Sequence, residues 1–340
     1  MKQYSINPAN TLKLYELISR YWTACAMHAV ARLKIADLLF EKPLSITELA
    51  DKTNSDEQAL YRLMRAVCSE GIFEETADKT FQLNELGSGF LSNVSGSITP
   101  WALANLGEHF AAFGKLTEGI QSGKVPFEEH YGMQVWDYYK QNPERGENLV
   151  KAMAGVSGAV IEGITQSYDF TPYKTIVDIG GGNGALLFGV LNAAPDSSGI
   201  VFDEPYVIEA TKKNIPDHLK SRCEVEGGSF FESIPAGADL YMTKWVLHDW
   251  NDEQVAQILK VAYEAMKPGS KLLIIEAVIP DQLNQPHASK LLDLNIYAMT
   301  TGKERTETEF KSLLAAAGLK FKRLILTNTE LSGIIECEKI

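Results

Sequence analysis

The sequence predicts an α/β fold, with a doubly wound parallel sheet closed by an antiparallel hairpin and a mostly helical, winged-helix-like region before it. Three observations predict it. Residues from about 8 to 165 carry apolar side chains at helical spacing. From Thr175 onward, short continuous apolar runs alternate with helical stretches, as parallel strands buried on both faces do. The first of these runs leads into Gly180-Gly181-Gly182-Asn183-Gly184, glycines placed where a strand hands over to a helix. At 340 residues the chain exceeds what one core usually serves, so two domains are expected, 1–165 and 166–340.

In the helical half, Asn7-Pro8 suits a cap followed by proline at the first helical position. The stripe Leu14, Leu17, Ile18, Tyr21, Cys25, Met27, Val30 and Leu33 is too wide for a singly packed helix, which points to burial against a second subunit. Tyr4, Tyr15 and Trp22 are placed to reach across such a dimer. Ser45-Ile46-Thr47-Glu48 is a capping box for a short helix, and Ser55-Asp56-Glu57-Gln58 opens another that stops at Gly71. Strands over 72–75 and 80–83 complete the outline of a winged helix. The second of these helices begins Asp56-Glu57 and has only Arg62 and Arg65 as cations, on a chain of net charge −12. Backbone phosphates reward a basic surface, so this half reads as a dimerisation module and no nucleic-acid partner is expected.

The second half predicts parallel strands at 175–179, 200–202, 240–242 and 272–275, with a hairpin from 324–326 and 334–337. No apolar stretch approaches the ~20 residues of a membrane span. The N-terminal stretch lacks an apolar signal core, and the four cysteines are far apart. A reduced, cytoplasmic protein without a membrane partner is the expectation. None of the six histidines pairs at metal-ligand spacing, so no metal is expected.

The chemistry concentrates in Lys244-Trp245-Val246-Leu247-His248-Asp249-Trp250, which follows an apolar run and precedes a helix capped by Asn251 with Gln254. That places His248 at the carboxyl edge of the sheet, where α/β proteins bind ligands, with a side chain able to take a proton near neutrality. The glycine loop is preceded by Asp178 and holds no Arg or Lys. A carboxylate there can accept from an ammonium, directly or through water, whereas a pyrophosphate would find it unwelcome. Asp203, 19 residues beyond Gly184, ends the second strand where an acid can hold two ribose hydroxyls. The constellation favours S-adenosylmethionine over a nicotinamide dinucleotide.

On these segments, and on Gly302-Lys303-Glu304-Arg305-Thr306, the chain resembles the plant-type O-methyltransferase family, including bacterial members that methylate phenolic natural products. The resemblance covers nearly the whole chain. It implies a Rossmann-like class I methyltransferase domain with a C-terminal antiparallel hairpin, preceded by a helical dimerisation domain that caps the substrate. It further implies that Gly180 and Gly182 line the methionine part of S-adenosylmethionine, Asp203 holds the ribose, Phe230 packs on adenine, and Lys244 and Ser157 reach the cofactor. Many relatives carry an acid where Ser229 stands, which leaves the adenine contact weaker. His248 is then the general base, flanked by Glu276 and Glu304. Glu276 also stands out by itself, as a charge inside the apolar run Leu272-Leu273-Ile274-Ile275-Glu276-Ala277-Val278.

His109, Phe113, Met153, Asn295, Ile296 and Met299 suggest an apolar acceptor pocket. Adjacent side chains usually diverge, so Asp249 is assigned a structural role, and Asp293 is read as bonding locally on its helix. Transfer to an oxygen of a small aromatic acceptor is the leading reading. N-methylation of a heteroaromatic, a nicotinamide oxidoreductase and a ligand-sensing DNA-binding regulator are its rivals.

Overall fold

The computed structural model describes residues 6–94 and 96–340, so Tyr4 lies outside the described residues. The chain divides into two compact units, the first running up to Glu108 and the second spanning His109–Ile340.

In the first unit the helix Pro8–Ser19 is capped by Asn7, whose side chain accepts from Ala9 N at 3.0 Å. This helix buries no residue, and the next, Tyr21–Arg32, buries only Val30 and Ala31. The first part of the predicted stripe, Leu14, Leu17, Ile18 and Tyr21, is therefore exposed on this chain, whereas Val30 is buried and Met27 and Leu33 pack against the core of the unit. The capping box at Ser45 opens the helix Ile46–Thr53 as expected. The following helix, Glu57–Ser69, is capped by Asp56. Strands β1 (Leu44–Ser45), β2 (Phe73–Thr76) and β3 (Thr80–Leu83) form a small antiparallel sheet in the order β1-β3-β2. Leu49, Met64, Phe73 and Phe81 fill the core between these helices and the sheet.

The second unit is built on β4 (Thr175–Ile179), β5 (Ser198–Asp203), β6 (Cys223–Gly227), β7 (Leu240–Lys244), β8 (Lys271–Glu276), β9 (Leu319–Leu326) and β10 (Gly333–Lys339). Their order is β6-β5-β4-β7-β8-β10-β9. The first five run parallel, and β10 is antiparallel to both β8 and β9. The order reverses between β4 and β7, and the crevice at the carboxyl ends of such neighbours is where α/β sheets bind ligands. Strand β6 has no counterpart among the expected strands, because charged residues interrupt its apolar positions.

Val160 and Ile164 of the long helix Pro143–Ser167 pack among Leu186, Leu187 and Val190 of the helix Ala185–Ala193. The expected boundary near 165 marks a change of periodicity. The packing boundary lies at 108/109 instead, because this long helix buries its apolar face in the second unit. Among the described residues no helix is long and apolar enough to cross a membrane.

Candidate active site

Beyond the end of β4 the chain turns through Gly180 at φ +67°. A Cβ on Gly180 would lie 2.6 Å from Val246 Cγ2, so the close passage of the 244–250 segment requires glycine there. Gly182, at φ +55°, has no atom within 4 Å of where its Cβ would be, so this side of the loop is open. Its N–H donates to Asp203 Oδ2 at 2.8 Å, and Glu204 N donates to Oδ1 at 2.7 Å. Both oxygens of Asp203 are thus aligned by backbone, and burial raises its pKa. Asp178 is buried, and its Oδ2 accepts no hydrogen bond. Burial pushes its carboxyl up to about 7 against the pull of Lys244.

Lys244 ends β7, and its Nζ donates to Ser157 Oγ at 2.9 Å. Ser157 sits buried on the helix Pro143–Ser167, with half-buried Met153 one turn earlier on the same face. Burial lowers the Lys244 pKa to about 8, while Asp178 and Glu276 pull it the other way. The next residue, Trp245, has a φ of +55°, a region that costs a non-glycine residue energy.

The turn Leu247–Asp249 then presents His248. Its Nδ1 lies 2.7 Å from Glu304 Oε1 and 3.4 Å from Glu276 Oε2. Glu276, at the end of β8, accepts through Oε1 from Val246 N at 3.1 Å and Leu247 N at 2.9 Å. Both glutamate side chains are fully buried, whereas the imidazole keeps 11% of its surface exposed. Burial opposes charge on His248, yet the carboxylates of Glu276, Glu304 and Asp249 outweigh it and push the pKa up to about 10. Burial likewise raises Glu276 to about 7 and Asp249 to about 6, each against the pull of His248. With Nδ1–H facing carboxylates, Nε2 is the nitrogen left to meet a ligand.

Structure brings in four residues that the sequence had left without a role at this site. Asp249 does not diverge from its neighbour, since the tight turn brings its Oδ1 to 3.8 Å from His248 Nε2. Asp293 does not bond locally either, because its Oδ1 accepts from Glu304 N at 2.8 Å and so anchors that residue. Gly302 passes so close to the turn that a Cβ on it would sit 1.8 Å from His248 O. Arg305 is fully buried and donates to Leu247 O at 3.1 Å, to Trp250 O at 2.9 Å and to Asp252 Oδ1 at 2.8 Å. The spacing of Gly302, Glu304 and Arg305 within five residues was the available signal.

Other expected residues stand at varying remove from this cluster. Ser229 Oγ accepts from its own turn, at 3.4 Å from Phe231 N, and Phe230 stacks edge-on against Trp250 with centroids 6.1 Å apart. His109 Nδ1 pairs with Asn295 Oδ1 at 3.0 Å, which joins two segments 186 residues apart. Phe113 is half-buried and Ile296 buried, while Met299 is packed with Ala112, Phe127 and Tyr139 as core.

A buried carboxylate oxygen without a partner, a glycine loop open over Gly182, and the aligned Asp203 fit a cofactor bearing an amino group and a ribose. The loop supplies no cation for phosphates. His248, Glu276 and Glu304 also offer donor atoms within 4.8 Å of one another, a grouping that could hold a metal ion and that sequence spacing does not reveal. Here the Glu276 Oε1 atom already accepts two backbone N–H groups and Nδ1 is hydrogen-bonded to Glu304 Oε1, while Glu276 Oε2 and Glu304 Oε2 are buried without a hydrogen-bond partner.

Family models for an O-methyltransferase domain and an O-methyltransferase dimerisation domain match residues 113–320 and 15–93. The chain is 35% identical over 328 residues to the phenazine O-methyltransferase PhzM of Lysobacter antibioticus, covering 96% of each. It is 32% identical over 315 residues to an 8-amino-8-demethylriboflavin N,N-dimethyltransferase of Streptomyces davaonensis, covering 90% of this chain and 89% of that protein. The crystal structure of LaPhzM superposes with a TM-score of 0.93 at 34% identity, covering 98% of this chain and 100% of that one.

Proposed function

Because the chain belongs to the O-methyltransferase family, we propose that it methylates a hydroxyl of a small aromatic, natural-product-type acceptor, with His248 as the general base. It is an S-adenosylmethionine-dependent O-methyltransferase. Gly180, Gly182 and Asp178 would hold the methionine part of the cofactor, Asp203 the ribose, Lys244 with Ser157 the inner wall, and Ser229 with Phe230 the adenine side. When bound, S-adenosylmethionine supplies a methyl group on a cationic sulfonium, already a good electrophile.

The protein's own task is then positioning and proton removal. The observation that supports His248 for that task is its Nδ1, held 2.7 Å from Glu304 Oε1 with Glu276 Oε2 at 3.4 Å. This anchoring aims Nε2 at the acceptor and raises its basicity. A phenol has a pKa of about 10 and free imidazole about 6.5, so transfer to an ordinary histidine is uphill. At a pKa of about 10 for His248 the transfer from phenol to Nε2 is nearly balanced. Met153, His109, Asn295, Phe113, Ile296 and Met299 belong to the acceptor side in this reading, with Met299 acting from the core behind it. The dimerisation domain supports a homodimer, whose interface we place on the exposed apolar face of the N-terminal helices.

In calorimetry, His248→Ala is expected to bind S-adenosylhomocysteine as the wild type does, while kcat on a weakly acidic phenol falls by roughly 10²–10⁴-fold. Unchanged kcat would overturn the base assignment. The riboflavin-directed relative motivates the second reading, transfer to an aromatic amine. A neutral amine attacks before it loses a proton, so on such an acceptor His248→Ala would cost little.

A further inference from the structure

Lys244 and Asp178 are opposite charges on neighbouring parallel strands, in a register that pairs Thr243 with Ile179. Yet they do not collapse onto one another. Asp178 Oδ2 accepts no hydrogen bond, and the Lys244 ammonium turns instead to Ser157 Oγ at 2.9 Å. The other face of that ammonium is covered by the indole of Trp245, with Nζ 3.7 Å from the ring centroid. The indole is itself pinned, because Nε1 donates to Leu331 O at 3.0 Å in the loop between β9 and β10. Trp245 reaches this position only through a backbone φ of +55°, a strained conformation that the surrounding contacts maintain.

We propose that Trp245 is a positioning residue for cofactor binding: its indole, anchored on Leu331, clamps the Lys244 ammonium against Ser157 and away from Asp178. Both charged groups are thereby kept available for the cofactor. The gain is pre-organisation, since a Lys244–Asp178 ion pair formed in the free enzyme would have to be broken before either group could serve a ligand. A cation held over an indole face is favoured by the ring quadrupole, most strongly where water is excluded. The inference rests on the methyl-transfer reading of this site.

The test is a double-mutant cycle read by calorimetry with S-adenosylhomocysteine, alongside steady-state kinetics. Trp245→Leu is expected to weaken S-adenosylhomocysteine binding about tenfold and to raise the cofactor KM, with acceptor KM unchanged. Trp245→Phe keeps a ring face but loses the Nε1 bond to Leu331, so it should recover only part of that loss. In a Lys244→Met background, Trp245→Leu should change the affinity less than twofold, because the clamp has nothing left to hold. An equal tenfold loss in both backgrounds would overturn the proposal and make Trp245 a packing residue only. Should Trp245→Leu fail to fold, Trp245→Met, which fills space without offering a ring face, takes its place in the two backgrounds. Wild-type protein that bound no S-adenosylhomocysteine would instead remove the functional reading and this inference with it.

Discussion

His248 owes its basicity to three carboxylates contributed by three different segments. Glu304 and Glu276 sit on its Nδ1 side and Asp249 lies 3.8 Å from Nε2. The direction of the pH dependence follows. At neutral pH the raised pKa keeps a proton on the imidazole, so the form able to accept one gains population as pH rises towards about 10. We expect kcat/KM for a phenolic acceptor to climb through the alkaline range. Glu304→Gln removes one of the charges that hold the proton, so the rising limb should move to lower pH by about one unit or more. The plateau should fall at the same time, because a less basic imidazole takes the phenol proton less readily. A pH–rate profile of the two proteins checks both, and an unshifted limb would show that Glu304 does not tune the base. Glu276 was legible at this scale, since a charge inside a run of leucine and isoleucine needs a partner. Asp249 was not, because its approach to Nε2 depends on the tight turn over Leu247–Asp249, which the residues alone do not announce.

One scale up, the 300–306 segment buttresses the turn that carries His248. Arg305 ties the carbonyls of Leu247 and Trp250 to Asp252, and Asp293 holds the backbone of Glu304. Gly302 lies in the tightest place, where an added methyl would meet His248 O and the Asp249 backbone. Gly302→Ala must therefore displace backbone. We expect it to destabilise the protein by about 2 kcal/mol in urea denaturation and to depress kcat more than it raises the cofactor KM. Elements with plain signals were readable: the capping boxes at Ser45 and Asn251 open helices where they should, and the apolar runs became β4, β5, β7 and β8. The strand β6 escaped because Glu224 and Glu226 break its apolar pattern, and an edge strand needs only one buried face.

Taken whole, the molecule leaves a large apolar surface uncovered on its first unit. Leu12, Leu14, Tyr15, Ile18, Tyr21 and Trp22 are each more than half exposed on helices that bury almost nothing within this chain. A patch of this kind marks an interaction site, and the matching dimerisation domain supports a second copy as its occupant. Light scattering after size exclusion should give a dimer. Placing aspartate at both Leu14 and Ile18 should shift it to monomer, and an unchanged mass would move the interface elsewhere.

The sequence by itself determined the fold class, the change from helical to strand periodicity, the glycine loop with its acids Asp178 and Asp203, and the identity of the histidine. These are local or periodic properties, written in adjacent or regularly spaced residues. The tertiary structure alone decided how the surroundings of His248 are built. It turned Asp249 towards Nε2, set Asp293 and Arg305 to hold the 300–306 segment, and laid Trp245 over Lys244. It also placed the packing boundary at 108/109. Such contacts join side chains far apart along the chain, or aim them through a backbone angle, and neither distance nor direction in space is carried by residue spacing.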